Sequence, residues 1–388
     1  MPSKERTIDS VSDWTDAARK LADEVTAAAP EWHDSVSSTP RHQLVPRWWE
    51  PIPDSYPFAW GLRTPKPDQQ WAEVYADETL VTRVGALHAD YADLSDRPAG
   101  LPTSSSTLPG LIVRMLHLLD PHKHDQVLDV GTGSGYSAAL LAHRLGDKQV
   151  TSIDLDPYLV DAARERLADF GRTPRLEIAD ATGSLPDTNY DRIMATVAVR
   201  PIPPAWLDAL RAGGKIVTTI TGTSLMINAD KHPDGVVRGH VQPDPATFMR
   251  TRRETDYPAR LDHVFNAARD QPGDETRQLT GPIPDLWDDW QLRCLYELDT
   301  PDIENRSATR DDGSQLLWLL AADGSWARAD SETKTIHQSG PRGLWDDLQR
   351  VQARWTAAGR FPLDTMTVEL REDRNALIGP DGHWTLEL

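Results

Sequence analysis

Three aspartates and a run of alternating glycines are the residues of this chain whose spacing carries chemistry. Val127-Leu-Asp-Val-Gly-Thr-Gly-Ser-Gly-Tyr136 places Asp129 two residues before Gly131, the first of three glycines completed by Gly133 and Gly135. An apolar run ending in such a turn presents backbone N–H groups to a ligand, since glycine has no Cβ to obstruct the approach. Ser137-Ala-Ala-Leu-Leu-Ala-His143 then continues as a helix. The third glycine comes one residue earlier than in the dinucleotide fingerprint, and Tyr136 stands where that fingerprint has glycine. Acidic-x-Gly-x-Gly-x-Gly suits instead S-adenosylmethionine, whose sulfonium and amino groups are cationic where a dinucleotide offers phosphates. Asp154 and Asp180 close two further apolar runs, the first suited to accept from both ribose hydroxyls and the second from an adenine amino group. The candidate cofactor-binding set is therefore Asp129, Gly131, Thr132, Gly133, Ser134, Gly135, Asp154 with Leu155, and Asp180 with Ala181.

Positioning these residues requires strands that alternate with helices. Val127–Val130, Val150–Asp154, Arg175–Asp180, Tyr190–Val197 and Gly214–Ile220 read as five strands. Asp156 is a candidate N-cap with Pro157 at the first helical position, and Leu159, Val160, Ala163 and Leu167 form the apolar face of that helix. A further helix is expected around Trp206 to Leu210. The fold class expected is α/β, a parallel sheet covered on both faces: a Rossmann-like class I S-adenosylmethionine-dependent methyltransferase core. Acids at the ends of successive strands then lie on the edge where such sheets bind ligands.

Motifs on either side of the glycine turn carry a resemblance to a family. Thr107-Leu-Pro-Gly-Leu-Ile-Val-Arg-Met-Leu-His-Leu-Leu119 resembles the Thr-Ile-Ser-x-Pro segment of protein L-isoaspartyl O-methyltransferases. Upstream, Thr39-Pro-Arg-His-Gln-Leu-Val-Pro46 is similar to that family's Val-Pro-Arg-His-x-Phe-Val-Pro, and Trp71-Ala-Glu-Val-Tyr-Ala-Asp77 to its Tyr-x-Asp segment. Downstream, Leu210-Arg-Ala-Gly-Gly-Lys-Ile-Val217 resembles its Leu-x-x-Gly-Gly-x-Leu-Val, with a fainter echo at Thr247-Phe-Met-Arg-Thr251. The resemblance runs from about Ser35 to Thr221. It departs from the family at Thr107, which stands in place of the serine and follows Ser104, Ser105 and Ser106; at His88 to Pro98, which reads as an insertion; and in more than a hundred residues after the core.

This combination resembles the branch of the family associated with biosynthesis of ribosomal peptide natural products such as lanthipeptides, graspetides and lasso peptides. That branch implies a cofactor, S-adenosyl-L-methionine, which leaves as S-adenosyl-L-homocysteine. It also implies a substrate, a normal aspartate of a macrocyclised precursor peptide. The methyl ester is then attacked by the following backbone nitrogen to give an aspartimide, which persists or hydrolyses to isoaspartate. Two alternatives stand beside it: repair of isoaspartate in damaged proteins, and a peptide-binding scaffold without catalysis.

A carboxylate is already anionic near neutral pH and needs no general base to attack a sulfonium methyl. Charge disappears as ester and thioether form, so strong donors on the carboxylate would stabilise the ground state more than the transition state. Orientation is the expected contribution, worth on the order of 7–11 kcal/mol in favourable intramolecular cases. Thr107, with Ser106 second, is the candidate catalytic residue that holds one carboxylate oxygen in line.

Composition narrows the rest. The chain has 388 residues, a single cysteine, Cys294, and a formal net charge of -19. One cysteine excludes an intrachain disulfide and fits a reducing compartment. The charge argues against a nucleic-acid partner and gives no long-range attraction for an acidic peptide. No stretch is apolar enough for a membrane span and no apolar h-region follows Met1, so a cytoplasmic location is expected. The histidines at 117, 122, 124 and 143 lack metal-ligand spacing, so no metal is expected. The serines 104 to 106 lack a nucleophile elbow, and Arg250, Arg252 and Arg253 read as a solvated charge cluster able to meet a carboxylate.

Six of the fourteen tryptophans precede position 72 and seven follow 286, leaving Trp206 alone in the core and marking both flanks as distinct segments. The boundaries expected are 1–100, a helical and irregular segment packing on the core; 101–260, the methyltransferase core; and 261–388, a small α+β domain. The first opens with a helix over Val11, Trp14, Ala18, Leu21 and Val25, with Ser10 and Asp13 as a capping box. Pro40 to Pro67 is expected to be irregular, with Trp48, Trp49 and Trp60 packed beneath it or lining a peptide groove. In the last segment, Gln315–Ala321 and Ser325–Arg328 flank Asp323-Gly324 as a hairpin, and a helix follows on Leu344, Trp345, Leu348, Val351 and Trp355 until Gly359. Thr365–Leu370 and His383–Leu388 suggest another pair of strands, with Pro380-Asp-Gly382 as a turn. A role for this segment in peptide recognition, through an edge strand or groove, stands beside an oligomerising or stabilising one.

Overall fold

The computed structural model describes residues 14–53, 59–64, 70–251 and 261–388. Ser10, Val11, Asp13, Arg252 and Arg253 lie outside the described residues. Two compact units form. One takes the described residues of Met1–Val197 and Pro203–Thr218; the other takes Ala198–Ile202, Thr219–Arg250 and the described residues of Pro258–Leu388. The expected segment 261–388 thus shares its unit with Thr219–Arg250.

The first unit begins with helices α1 (Trp14–Val25), α2 (His33–Ser38), α3 (Arg41–Leu44) and α4 (Gln70–Val74). Ala18, Leu21 and Ala22 form the buried face of α1. Pro40 to Pro67 is not wholly irregular: β1 (Trp48–Pro51) pairs antiparallel with β2 (Trp60–Arg63). Strand β3 (Leu80–Val84) pairs with β1, with β4 (Leu87–His88) and with β5 (Pro102–Ser106). Trp49 and Trp60 pack with Val84, Ala89 and Ala92 in the core of this small sheet, and Trp48 is buried too, so these tryptophans do not line an open groove. Alternation in Leu80-Val-Thr-Arg-Val84 puts three side chains inward and leaves Arg83 to reach the core unit's surface.

After α5 (Pro109–Leu119) come β6 (Val127–Val130), α6 (Tyr136–Leu145), β7 (Val150–Asp154), α7 (Pro157–Asp169), β8 (Arg175–Ile178), β9 (Tyr190–Val199), α8 (Pro204–Ala209) and β10 (Leu210–Ile220). The strand order is β10-β9-β6-β7-β8. Strands β9, β6, β7 and β8 run parallel, and all four residues of β6 are buried, as a strand covered on both faces requires. Asp156 caps α7 by accepting from the Tyr158 N–H at 3.0 Å, with Pro157 at the first position. The third strand ends at Ile178, which leaves Asp180 in the following turn rather than on the strand.

The second unit holds an antiparallel sheet of β11 (Met226–Lys231), β12 (Val237–Val241), β18 (Thr367–Leu370), β19 (Asn375–Ile378) and β20 (Thr385–Glu387), in the order β20-β19-β18-β12-β11. Both terminal strands form, but β19 lies between them, and the Pro380–Gly382 turn joins β19 to β20. Between these strands, α9 (Asp262–Asp270), β13 (Glu275–Gln278), α10 (Trp290–Asp299), β14 (Ile303–Thr309), β15 (Gln315–Ala321), β16 (Trp326–Asp330), β17 (Thr335–Ser339) and α11 (Leu344–Ala357) add a second antiparallel sheet, ordered β13-β17-β16-β15-β14, and its helices. The hairpin turn at Asp323-Gly324 is as read: Asp323 accepts from the Ser325 N–H at 2.9 Å. Leu344, Trp345, Leu348, Val351 and Trp355 form the buried stripe of α11. Among the described residues no helix is long and apolar enough to cross a membrane.

Candidate functional site

The glycine turn leaves β6 and is held on three sides. Gly131 and Thr132 donate their N–H groups to the Ile153 carbonyl of β7 at 2.8 and 3.1 Å. Gly131 has φ +97°, and a Cβ there would meet the Thr196 Oγ1 of β9 at 2.9 Å, so the position excludes other residues on conformation and on space. Gly133, with φ +50°, faces the Ser105 carbonyl, 3.4 Å from where its Cβ would lie. That approach sets the last residues of β5 against the turn, which puts Ser106 and Thr107 next to the candidate cofactor site.

Beneath the turn lies a buried acid–hydroxyl network. One oxygen of Asp129 accepts from the Ser152 hydroxyl at 2.7 Å and from Ser137 at 3.0 Å, and Thr132 Oγ1 lies 2.7 Å from Ser152 Oγ. Asp129 is fully buried, and its side chain ties β6 to β7 and to the first turn of α6. Loss of solvent raises its carboxyl to about 7 against the help of the two serines. Thr132 and Ser134 are buried as well.

Asp154 is better placed to meet a ligand. Half-buried at the carboxyl end of β7, it accepts from the Gly133 N–H at 3.0 Å with one oxygen and from the Asp156 N–H at 3.1 Å with the other. Leu155 beside it is 39 % exposed. Asp180 accepts from the Thr182 N–H and hydroxyl at 2.8 and 2.7 Å through one oxygen. The Ala181 carbonyl accepts from the indole of fully buried Trp206 at 2.7 Å, which fixes the loop carrying Asp180. The residues present thus fit a nucleoside cofactor: a turn of three glycines at positive φ, and two braced carboxylates, one at the end of β7 and one in the turn after β8.

Two residues outside the expected set build the acceptor side. Arg41 is fully buried, and its guanidinium donates to the carbonyls of Val74, Ala76 and Glu78 at 2.8–2.9 Å and, at longer range, of Ser106 (3.5 Å) and Thr107 (3.4 Å). Burial lowers its pKa to about 10, which leaves it charged at neutral pH. Asp77 accepts from the Gly110 N–H at 2.6 Å and caps the start of α5, while Thr79 accepts from the Leu108 N–H at 3.1 Å. The Ser106–Thr107 corner is therefore clamped from both directions. Ser106 Oγ is buried without a partner, and the half-buried Thr107 hydroxyl makes no hydrogen bond, among the described residues. Both upstream motifs were visible in sequence, but nothing there tied Arg41 or Asp77 to this corner. Ser137 and Ser152 carried no signal at all.

The segment His88 to Pro98 packs on α7, where Tyr158 and Arg166 both donate to Asp90. His88 is buried against the Tyr158 ring, 4.9 Å between centroids, and desolvation lowers it to about 4. Arg250 lies at a parallel bridge to Ala198. Among the described residues no group of three or more His, Cys, Asp or Glu side chains is arranged to hold a metal.

The family model for protein-L-isoaspartate(D-aspartate) O-methyltransferase matches residues 87–246. The chain is 37% identical over 150 residues to the protein-L-isoaspartate O-methyltransferase of Aeropyrum pernix, covering 37% of this chain and 58% of that protein. It is 33% identical over 156 residues to the protein of the same name from Ignicoccus hospitalis, covering 39% of this chain and 73% of that one. Against Aeropyrum pernix and Methanoculleus marisnigri, the chain spans somewhat under three fifths of the relatives' length (58% and 57%). A solved structure titled protein-L-isoaspartate O-methyltransferase shares the fold at a TM-score of 0.50 and 16% identity, over 92% of this chain and 98% of that chain. That span includes most of the second unit.

Proposed function

The chain belongs to the protein-L-isoaspartate(D-aspartate) O-methyltransferase family, and from that we propose that it is an S-adenosylmethionine-dependent carboxyl O-methyltransferase acting on an aspartate-derived side chain in a peptide. The observation that carries the proposal is the approach of β5 to the glycine turn: the Ser105 carbonyl faces Gly133, whose N–H donates to Asp154. Bound in that cradle, the cofactor supplies an electrophilic methyl on a sulfonium.

The chain's own residues orient rather than polarise. Both terminal nitrogens of Arg41 donate to backbone carbonyls, so it fixes the corner rather than presenting charge to a substrate carboxylate. An uncharged hydroxyl at Thr107 holds one carboxylate oxygen in line at little ground-state cost. Gly131, Gly133 and Gly135 offer backbone, Asp154 the ribose acceptors, and Asp180 the acceptor for an adenine amino group. A cofactor titration that shows no binding would leave only the scaffold alternative.

The acceptor we propose is a normal aspartate of a macrocyclised precursor peptide. In its methyl ester the next backbone nitrogen attacks the side-chain carbonyl carbon, a C–N bond forms, and methoxide leaves with the amide proton as methanol, giving the aspartimide. What supports this reading is the set of departures from the compact family pattern at Thr107 and at His88 to Pro98. The names of the relatives favour repair of isoaspartate, and the solved structure that spans the second unit removes the long tail as an argument against it. Mass spectrometry with an isoaspartyl peptide and with a macrocyclised precursor in parallel separates the two. Methyl gain followed by methanol loss on the precursor supports the first; methylation of the isoaspartyl peptide alone supports repair.

A further inference from the structure

Within the second unit, α11 and the segment after β13 enclose an open groove of about 200 Å³. Leu279, Pro282 and Pro284 form one wall; Trp345, Gln349 and Gln352 form the other. The last three stand at i, i+4 and i+7 on α11 and so share one helical face. Trp345 is 2 % exposed, and its indole N–H donates to no acceptor among the described residues, although a buried donor ordinarily has one. Prolines contribute no N–H to the opposite wall. The groove therefore offers the side-chain amides of Gln349 and Gln352, able to pair with both groups of a peptide unit, and apolar ring surface beside them. An extended backbone is the ligand class that answers both.

Three residues past Pro284 stands Trp287, 79 % exposed. It is not loosely held: Asp285 accepts from the Trp287 N–H at 2.8 Å and from the Asp288 N–H at 3.1 Å. The Arg293 guanidinium lies 6.0 Å from the indole centroid, the limit of cation–π reach, and covers at most one face. An aromatic face between two exposed carboxylates, Asp285 and Asp288, is complementary to a lysine or arginine, and the chain's net charge of -19 favours the approach of a basic segment.

We infer that the second unit docks an extended, basic segment of the peptide substrate, its backbone in the Trp345–Gln349–Gln352 groove and a cationic side chain on Trp287. The inference rests on a peptide being the substrate. It is tested with the full chain, without methyl donor, by fluorescence anisotropy of a fluorescein-labelled alternating Lys-Pro peptide and its Glu-Pro counterpart. The Lys-Pro peptide should bind, weaken with added salt, and lose about fivefold or more in affinity on Trp287→Ala and again on Gln349→Ala with Gln352→Ala. Equal binding of the Glu-Pro peptide, or unchanged affinity in the Trp287→Ala protein with an unaltered melting curve, overturns it. Binding that behaves as described while methyl transfer fails would sink the proposed function and leave the docking surface standing.

Discussion

The backbone N–H of Gly133 donates to the carboxylate of Asp154 at 3.0 Å, so the residue expected to hold the ribose also holds the turn that would cradle the rest of the nucleoside. Geometry of the turn and affinity for the cofactor are coupled through one side chain. Asp154→Ala should weaken S-adenosylmethionine by on the order of tenfold to a hundredfold, the range for losing charge-assisted hydrogen bonds. Isothermal titration measures it, and an unchanged dissociation constant would remove Asp154 from the site.

Arg41 should prove a positioning residue. Arg41→Met leaves buried carbonyls at Val74, Ala76 and Glu78 without their donor and is expected to cost about 3 kcal/mol or more of stability. Arg41→Lys, with a single donor head, should recover only part of it. Chemical denaturation reads both; a wild-type midpoint for Arg41→Met would contradict the clamp.

Thr107→Val should lower turnover by about tenfold to a hundredfold through misplacement of the acceptor, with cofactor affinity unchanged. Ser106→Ala should have the smaller effect, because the Ser106 hydroxyl is buried and Thr107 is the more accessible of the two. Single-turnover rates on one peptide distinguish them. The reverse order would exchange the roles.

Asp129 gives a pH signature. Its folded carboxyl is raised to about 7 from 3.8, so the native state binds the proton more tightly than the unfolded chain. That contribution is complete below the unfolded value and is lost as pH rises through the folded one, so wild-type stability should decline across this window relative to Asp129→Asn. Melting temperatures of the two proteins at about pH 5 and about pH 8 test the sign; parallel profiles would show that Asp129 does not titrate there.

His88 acts in the opposite sense to Asp129. Its folded value is lowered to about 4 from 6.5 by burial, so the unfolded chain binds the proton first and the stability present above 6.5 is lost as pH falls toward 4. His88→Phe should flatten that acid limb. An unchanged limb would place the titrating group elsewhere.

Much of the core unit was legible in the sequence because its signals are local. Four buried residues in Val127–Val130, glycines fixed at positive φ, the Asp156 cap followed by Pro157, and the stripe of α11 each depend on neighbours within a few positions. The parallel run of β6 to β9 followed from the alternation of strands with helices. Other features depend on contacts that no short window contains. β19 is the four-residue run Asn375-Ala-Leu-Ile378, too short to announce itself, and its insertion between β18 and β20 is decided by partners on both edges. Trp48, Trp49 and Trp60 went to a core rather than a groove because β3, more than twenty residues on, pairs with β1 and helps to enclose them. Asp129 keeps the motif position but loses solvent because serines from β7 and α6 close over it. The Ser106–Thr107 corner is the clearest case: residue types marked it as a candidate, but its shape is set by Arg41, 65 positions away from Ser106, and by Asp77, 33 positions before Gly110. Sequence determined which groups are present and which turns they must make; the long-range hydrogen bonds and packing of the folded chain decided which of those groups meet.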